Sequence, residues 1–325
     1  MRIFVAGATG ALGRQLVPRL AERGHEVTGM TRIAGKRSFL EQLGATAVVA
    51  DALDADAVGE AVARAEPEAV VHQLTAISKF KPRDMDGAFA ETNRLRTEGT
   101  AILLAAARAA GARRFVAQSF GAWPYERVGG PVKSEEDPLM GEPPRSISET
   151  LDAIKHLERA VTSTDGIEGV VLRYGGFYGP HTSLAPGGEQ FEAVRKRKIP
   201  LVGDGGGIWS FIEIRDAADA TVAAIERGAP GIYNVADDDP APVSEWLPHL
   251  ARTLGAKPPR RVPRWLARLL AGEVMVGMMT ELRGQSNEKA KRELGWQPAH
   301  PSWRQGFVEA ARGPAEHVGE LRAAA

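Results

Sequence analysis

Short apolar runs alternate with segments in which leucine and alanine recur at helical spacing, and the alternation continues through the first half of the chain. Ile3, Phe4, Val5 and Ala6 form an uninterrupted apolar run stopped by glycine, the pattern of a strand buried on both faces. Residues 10–23 follow with Leu12, Leu16 and Leu20 four apart, one face of an amphipathic helix that Gly24 ends. The same reading predicts strands over residues 26–31, 47–50, 69–74, 114–119 and 169–174, and helices over 38–43, 55–65 and 93–110. Strand–helix succession of this regularity predicts an α/β fold, a Rossmann-type doubly wound parallel sheet with right-handed crossovers.

The periodicity breaks at residues 120–145, a stretch rich in glycine and proline. Loops of that length in a compact domain are functional or disordered. Beyond it, Ser146 and Glu149 read as a capping box for a helix that ends near Thr162. Further helices are expected near residues 188–196, 216–226, 243–254, 264–280 and 287–294. Apolar runs at 208–214 and 231–235 read as strands that extend the sheet. Residues 1–174 are therefore expected to form the sheet domain, completed by about residues 208–235, with 175–325 mainly a smaller, interleaved lobe.

Composition narrows the classes. The 41 basic residues balance the 41 acidic ones, so no chain-wide attraction to nucleic acid or an anionic membrane is expected, though local basic patches stay open. The chain has no cysteine, which excludes disulfides, thiol nucleophiles and cysteine-bound zinc. The histidines and carboxylates show no metal-ligand spacing, so no metal is expected. A reducing, cytoplasmic setting is the expectation, since Met1-Arg2 runs straight into a strand. The longest apolar stretch, Trp265 to Met279, contains Arg268 and Glu273 and is too short and too charged to span a bilayer. The expected partner is a small-molecule substrate, with a homodimer left open.

Gly7-Ala8-Thr9-Gly10-Ala11-Leu12-Gly13 joins the first strand to the first helix. Glycine at these three points permits a tight turn, close approach of a pyrophosphate and close packing of helix on strand. The helix N-terminus then offers free N–H groups to the phosphates. At the end of the second strand stand Thr31 and Arg32, with Lys36 and Arg37 just beyond. An acidic residue there would suit the bare ribose of NAD. Cations suit a 2′-phosphate, so NADP is expected, with NAD as the alternative.

These features resemble an extended short-chain dehydrogenase/reductase of the epimerase/dehydratase type, and the likeness covers nearly the whole chain. Asp51, followed by Ala52, resembles the acidic residue that meets adenine, and Leu74-Thr75-Ala76 the segment lining the cofactor. Arg114-Phe115-Val116 leading to Ser119 resembles the fifth strand with its hydroxyl cluster. Arg173-Tyr174 through Phe177-Tyr178-Gly179-Pro180 resembles the sixth strand and the loop beside the nicotinamide. Phe211-Ile212-Glu213-Ile214 and the late Lys291-Arg292-Glu293-Leu294-Gly295-Trp296 match the type as well.

The catalytic core departs from it. The family places Tyr four residues before Lys, on one helical face, where the ammonium lowers the phenol's pKa and holds the ribose. Lys155 is present and the resemblance assigns it the ribose contact, but Leu151 stands at the tyrosine position, and no tyrosine of this chain precedes a lysine by four. Phe120 replaces the expected hydroxyl after Ser119, and Arg96 stands where the family has Asn, three residues before Gly99-Thr100. Tyr125, in the loop after the fifth strand, is a candidate substitute acid, and it joins Lys155 and Ser119 as a candidate catalytic residue; an aromatic anchor for that loop is its other reading. Tyr178 reads as a lining of the nicotinamide pocket, and His156 as a surface residue. Residues 79–83 with Arg127 and Lys133 read either as an anion-attracting mouth or as a solvated loop. Met275, Met278 and Met279 read as core or as an adaptable wall over the cleft. The expected function is an NAD(P)-dependent oxidoreductase with atypical proton chemistry, suited to a conjugated C=C or C=N bond, which needs less help from a phenolic acid. The alternatives are an epimerase/dehydratase using transient oxidation and a non-catalytic NADP sensor.

Overall fold

Five strands alternate with helices in the first 120 residues of the computed structural model, which describes residues 1–77 and 83–313. In chain order they are β1 (Arg2–Ala6), α1 (Ala11–Glu22), β2 (Glu26–Thr31), α2 (Arg37–Gln42), β3 (Ala45–Val49), α3 (Ala55–Ala65), β4 (Ala69–His72), α4 (Met85–Arg94), α5 (Thr100–Ala109) and β5 (Arg114–Phe120). After β6 (Val132–Lys133) come α6 (Ser148–Thr162), β7 (Glu168–Tyr174), β8 (Gly176–Tyr178), α7 (Glu189–Arg195), β9 (Leu201–Val202), β10 (Ile208–Trp209), β11 (Phe211–Glu213), α8 (Ile214–Arg227) and β12 (Gly231–Val235). Seven strands form one sheet in the order β12-β7-β5-β4-β1-β2-β3, with every neighbouring pair parallel. Both faces are covered, as a parallel sheet requires. Leu12, Leu16 and Leu20 of α1 pack with Ala217, Ala220 and Ala224 of α8 on one face. Val58 and Val62 of α3, Leu103 and Ala107 of α5, and Leu157 and Val161 of α6 cover the other.

Two smaller cores lie beyond the sheet. One gathers Phe191, Leu201, Phe211, Trp246, Leu247, Trp303 and Phe307. The other joins the two halves of the chain: Met85, Phe89, Trp123, Met140, Leu151 and Ile154 meet Val274, Met278 and Leu282.

Four expectations are corrected. Residues 208–214 do not extend the sheet; they divide at Ser210 into β10, antiparallel to Ala241–Pro242, and β11, parallel to β8. Phe211 is buried in the smaller core, while Ile212 and Ile214 join the core on the α1 and α8 face of the sheet. The helix expected from Asn93 starts at Met85 and passes through a π turn at Leu95–Gly99. Ser146 and Glu149 form no capping box. Instead Asp86 of α4 accepts from the backbone of Glu149 at 3.2 Å and Thr150 at 2.8 Å, so a neighbouring helix supplies the cap. The helix Arg264–Thr280 is broken at Gly272, whose φ of 86° leaves the helical region.

Candidate active site

The loop after β1 is shaped by its glycines. Gly7 has φ +91°, and a Cβ there would come 2.5 Å from the Gln73 carbonyl oxygen, so the turn excludes a side chain. A Cβ on Gly13 would collide with the carbonyls of Gly7 and Ala8, which seats α1 directly on β1. Gly10 is exposed, donates to the Gly7 carbonyl at 3.0 Å and caps α1; a Cβ on it would approach only that same carbonyl. The first turn of α1 holds no acidic residue and Gly10 offers no side-chain cap, so its N–H groups face outward beside Thr9, Ala11 and the buried Leu12. That cradle fits a dinucleotide pyrophosphate.

Around it lie the other expected cofactor residues. Arg32 is exposed and paired with Glu91 of α4. Thr31 is buried, its hydroxyl accepting from the Ile33 backbone at 3.2 Å. Asp51 is exposed and accepts from the Leu53 backbone at 3.0 Å, beside the buried Ala52. Leu74 and Ala76 are half-buried and Thr75 is exposed; the Ala76 N–H donates to the Thr92 hydroxyl at 3.0 Å, tying this segment to α4.

Leu151 and Lys155 share one face of α6, a turn apart. Leu151 is fully buried against the two-sided apolar core that includes Met278, so the tyrosine position is packed hydrocarbon. Lys155 is half-buried and its ammonium donates to the Met140 carbonyl at 2.7 Å. The loop at residues 120–145 thus closes over the lysine.

Ser119 and Tyr125 belong to one buried network. The Ser119 hydroxyl donates to Glu158 Oε1 at 2.8 Å. Arg173 grips both oxygens of Glu158, at 2.8 and 2.6 Å, and donates to the Tyr125 hydroxyl at 2.9 Å. Tyr125 donates in turn to Asn234 Oδ1 at 2.6 Å, which also accepts from Gln285 Nε2 at 3.1 Å. Burial pushes the Tyr125 phenol up to about 12, with the nearby Arg173 opposing. Its hydroxyl is engaged on both sides and points into the sheet, the arrangement of a loop anchor. A side chain at Gly121 would meet the Gln285 amide, so a residue from late in the chain fills the space beside the strand end.

Tyr178 belongs to the smaller core. It is fully buried, edge-on to Phe307 at 5.3 Å in the smaller core, while Phe177 leans on Tyr174 at 5.2 Å. His156 is exposed. Of the basic mouth, Lys79, Phe80, Lys81 and Pro82 lie outside the described residues. Arg127 pairs with Glu281 at 2.8 Å and Lys133 with Asp137 at 2.9 Å. Glu213, Asp216 and His300 converge, but Arg215, backbone N–H groups and His300 itself already occupy the carboxylates.

No local pattern marks Glu158, Arg173, Asn234 or Gln285 as partners of Ser119 and Tyr125, because these residues lie far apart in the chain. Arg96 stands out in the sequence only as a departure. Arg96 is buried on the π turn, and among the described residues its Nη1 has no hydrogen-bond partner. Desolvation lowers its pKa to about 10, against the pull of Glu158. His72, beneath the same turn, bonds the Leu95 carbonyl at 3.2 Å, and burial lowers it to about 4.

Residues 3–236 match the model of the NAD dependent epimerase/dehydratase family. A Streptomyces protein named 3-diazoavenalumate denitrifying reductase is 50% identical over 308 residues, 94% of this chain and 99% of that one. A 2-alkyl-3-oxoalkanoate reductase of Stenotrophomonas maltophilia is 27% identical over 93% and 91% of the two chains. Among solved structures, a Thermus thermophilus UDP-glucose 4-epimerase complexed with NAD is similar at TM-score 0.73 and 25% identity, covering 95% of this chain and 97% of that one.

Proposed function

Since the chain belongs to the NAD-dependent epimerase/dehydratase family and is an NAD(P)-dependent oxidoreductase of the extended short-chain type, we propose that it is a reductase of a diazo-bearing small molecule, releasing dinitrogen. The observation that carries this reading is the packed Leu151. Reduction of a carbonyl leaves an alkoxide that must be protonated, and the family's phenol is absent. The other hydroxyls, on Ser119 and Tyr125, are committed to Glu158 and Asn234. With its pyrophosphate on the Gly7–Gly13 cradle, the reduced dinucleotide would supply a hydride, and hydride plus a diazonium cation balances to a C–H bond and dinitrogen with no proton required.

This chain's own residues then bind and exclude water. The N–H groups of α1 hold the pyrophosphate, Asp51 meets adenine, and Arg32 leaves Glu91 for a 2′-phosphate, which favours NADP. Lys155 exchanges the Met140 carbonyl for the ribose. Leu151, Ile154, Trp123 and Met278 pack hydrocarbon at the tyrosine position, and a dry surface there would keep water from competing for a reactive electrophile. Residues 1–174 with β12 form the cofactor domain, and residues 175–325 mainly form the substrate lobe. The relative named as a denitrifying reductase supports the diazo class over a conjugated C=C bond.

The test is turnover with arenediazonium probes, followed as loss of reduced-cofactor absorbance at about 340 nm. Dinitrogen release matching cofactor consumed is the expected result. Reduction of ketones with no response to diazonium probes would overturn the reading.

A further inference from the structure

The helix Arg264–Thr280 has an outer half that stands largely uncovered among the described residues. Trp265, Leu269 and Leu270 are 70%, 64% and 65% exposed, and Leu266 is half-buried between them. At 100° per residue these four side chains span about 140° of the helix surface. Arg268 and Arg264 lie along one edge of that arc, both exposed, Arg268 facing Glu273 at 3.9 Å and Arg264 facing Asp204 at 3.5 Å and Glu281 at 4.0 Å. Lys257, Arg260 and Arg261 precede it, and residues 257–272 contain no acidic residue. Five positive charges in sixteen residues stand out in a chain whose net charge is zero. Gly272 then breaks the helix, and the second half turns inward, where Val274 and Met278 pack on Leu151. Arg83 donates to the Leu269 carbonyl.

We propose that this face docks the enzyme on an anionic lipid surface. An apolar arc bearing tryptophan and leucine, edged by arginine, matches what lies in the headgroup boundary of a bilayer. The basic residues complement anionic headgroups. Among the described residues no helix is long and apolar enough to cross a membrane, so the contact is peripheral. The inner half of the same helix walls the core around Leu151, so docking sets that core beside the lipid and favours an apolar substrate drawn from it. The docking itself stands apart from the diazo reading, because it rests on the outer surface alone; only the substrate preference rests on that reading of the Leu151 core.

Vesicle sedimentation of the purified protein tests it, with vesicles of pure phosphatidylcholine compared with vesicles that also contain phosphatidylglycerol. Binding to the anionic vesicles only is expected, with a blue shift of tryptophan emission that Trp265→Phe removes. Leu269→Glu/Leu270→Glu and Arg264→Glu/Arg268→Glu should each lower partitioning by about tenfold or more. All four positions are exposed, and an unchanged melting temperature verifies that the variants fold. No binding to anionic vesicles, or binding indifferent to both double variants, overturns the proposal. So does light scattering that shows a dimer dissociated by Leu269→Glu/Leu270→Glu, which would assign the face to a second copy of the chain.

Discussion

Replacing Arg32 should weaken NADP more than NAD, and the size of the effect depends on Glu91. In the structure the guanidinium is held by the Glu91 carboxylate, both side chains being about half exposed. A charged hydrogen bond to a phosphate contributes about 1.5–3 kcal/mol. Releasing an exposed ion pair costs about 0.2–1 kcal/mol. The net benefit to NADP is therefore about 0.5–2.8 kcal/mol, and Arg32→Ala should weaken NADP by roughly two- to a hundredfold while leaving NAD within about twofold. Glu91→Gln should act in the opposite direction, since Arg32 is freed and a negative charge beside the 2′-phosphate is removed. An improvement of about two- to fivefold in NADP affinity is expected. Titration calorimetry with both dinucleotides on the two single variants and the double variant measures all of this. Wild-type preference for NAD, or NADP affinity unchanged in Arg32→Ala, refutes the assignment. Tighter NAD binding lost in Glu91→Gln would instead give the ribose to Glu91.

Tyr125→Phe removes a hydroxyl that joins Arg173 to Asn234; a cost of about 1–3 kcal/mol should appear as a fall of several degrees in melting temperature, with turnover within about threefold of wild type. A turnover loss of about a hundredfold with unchanged stability would make Tyr125 the acid after all. Leu151→Tyr adds volume and a hydroxyl to a fully packed core and should cost about 1–3 kcal/mol in denaturant unfolding; a stable variant that gains ketone reduction would show that only the phenol was missing. His72 is kept neutral by burial, with its pKa lowered from 6.5 to about 4. Its unfolded form therefore binds a proton first, so stability should be full above about pH 6.5 and decline toward pH 4, by an amount on the order of 3 kcal/mol. Unfolding curves of His72→Gln over the same range should decline less, and identical slopes would refute the buried neutral state.

The dinucleotide half was legible because its signals are local. Periodic leucines, glycine stops and the Gly7–Gly13 spacing each act within one turn or strand, and the sheet assembled from them as expected. The failures share the opposite property. Asp86 caps α6 from a helix sixty residues away in the chain, and no spacing rule near Ser146 reports that. Residues 208–214 carry a strand's apolar pattern, but burial of Phe211 in the smaller core and of Ile212 and Ile214 beside α8 looks the same in sequence as membership of the large sheet. Leu151 was visible as an anomaly, whereas the hydrocarbon around it was not, because Met278 and Leu282 arrive from the far end of the chain. Tyr125 had the right residue type and an inviting loop; its engagement by Arg173 and Asn234 depends on β5, β7 and β12 lying together, which is a property of the sheet.

The account turns on hydride delivery to a carbon that needs no proton from the protein. The direct measurement is single-turnover reaction of an arenediazonium probe with cofactor deuterated at the transferring position, in ordinary water, and the converse in heavy water. Deuterium from the cofactor at the carbon that held nitrogen, with none from solvent, is the predicted result. Deuterium arriving from heavy water at that carbon would place a proton transfer in the reaction and contradict the account.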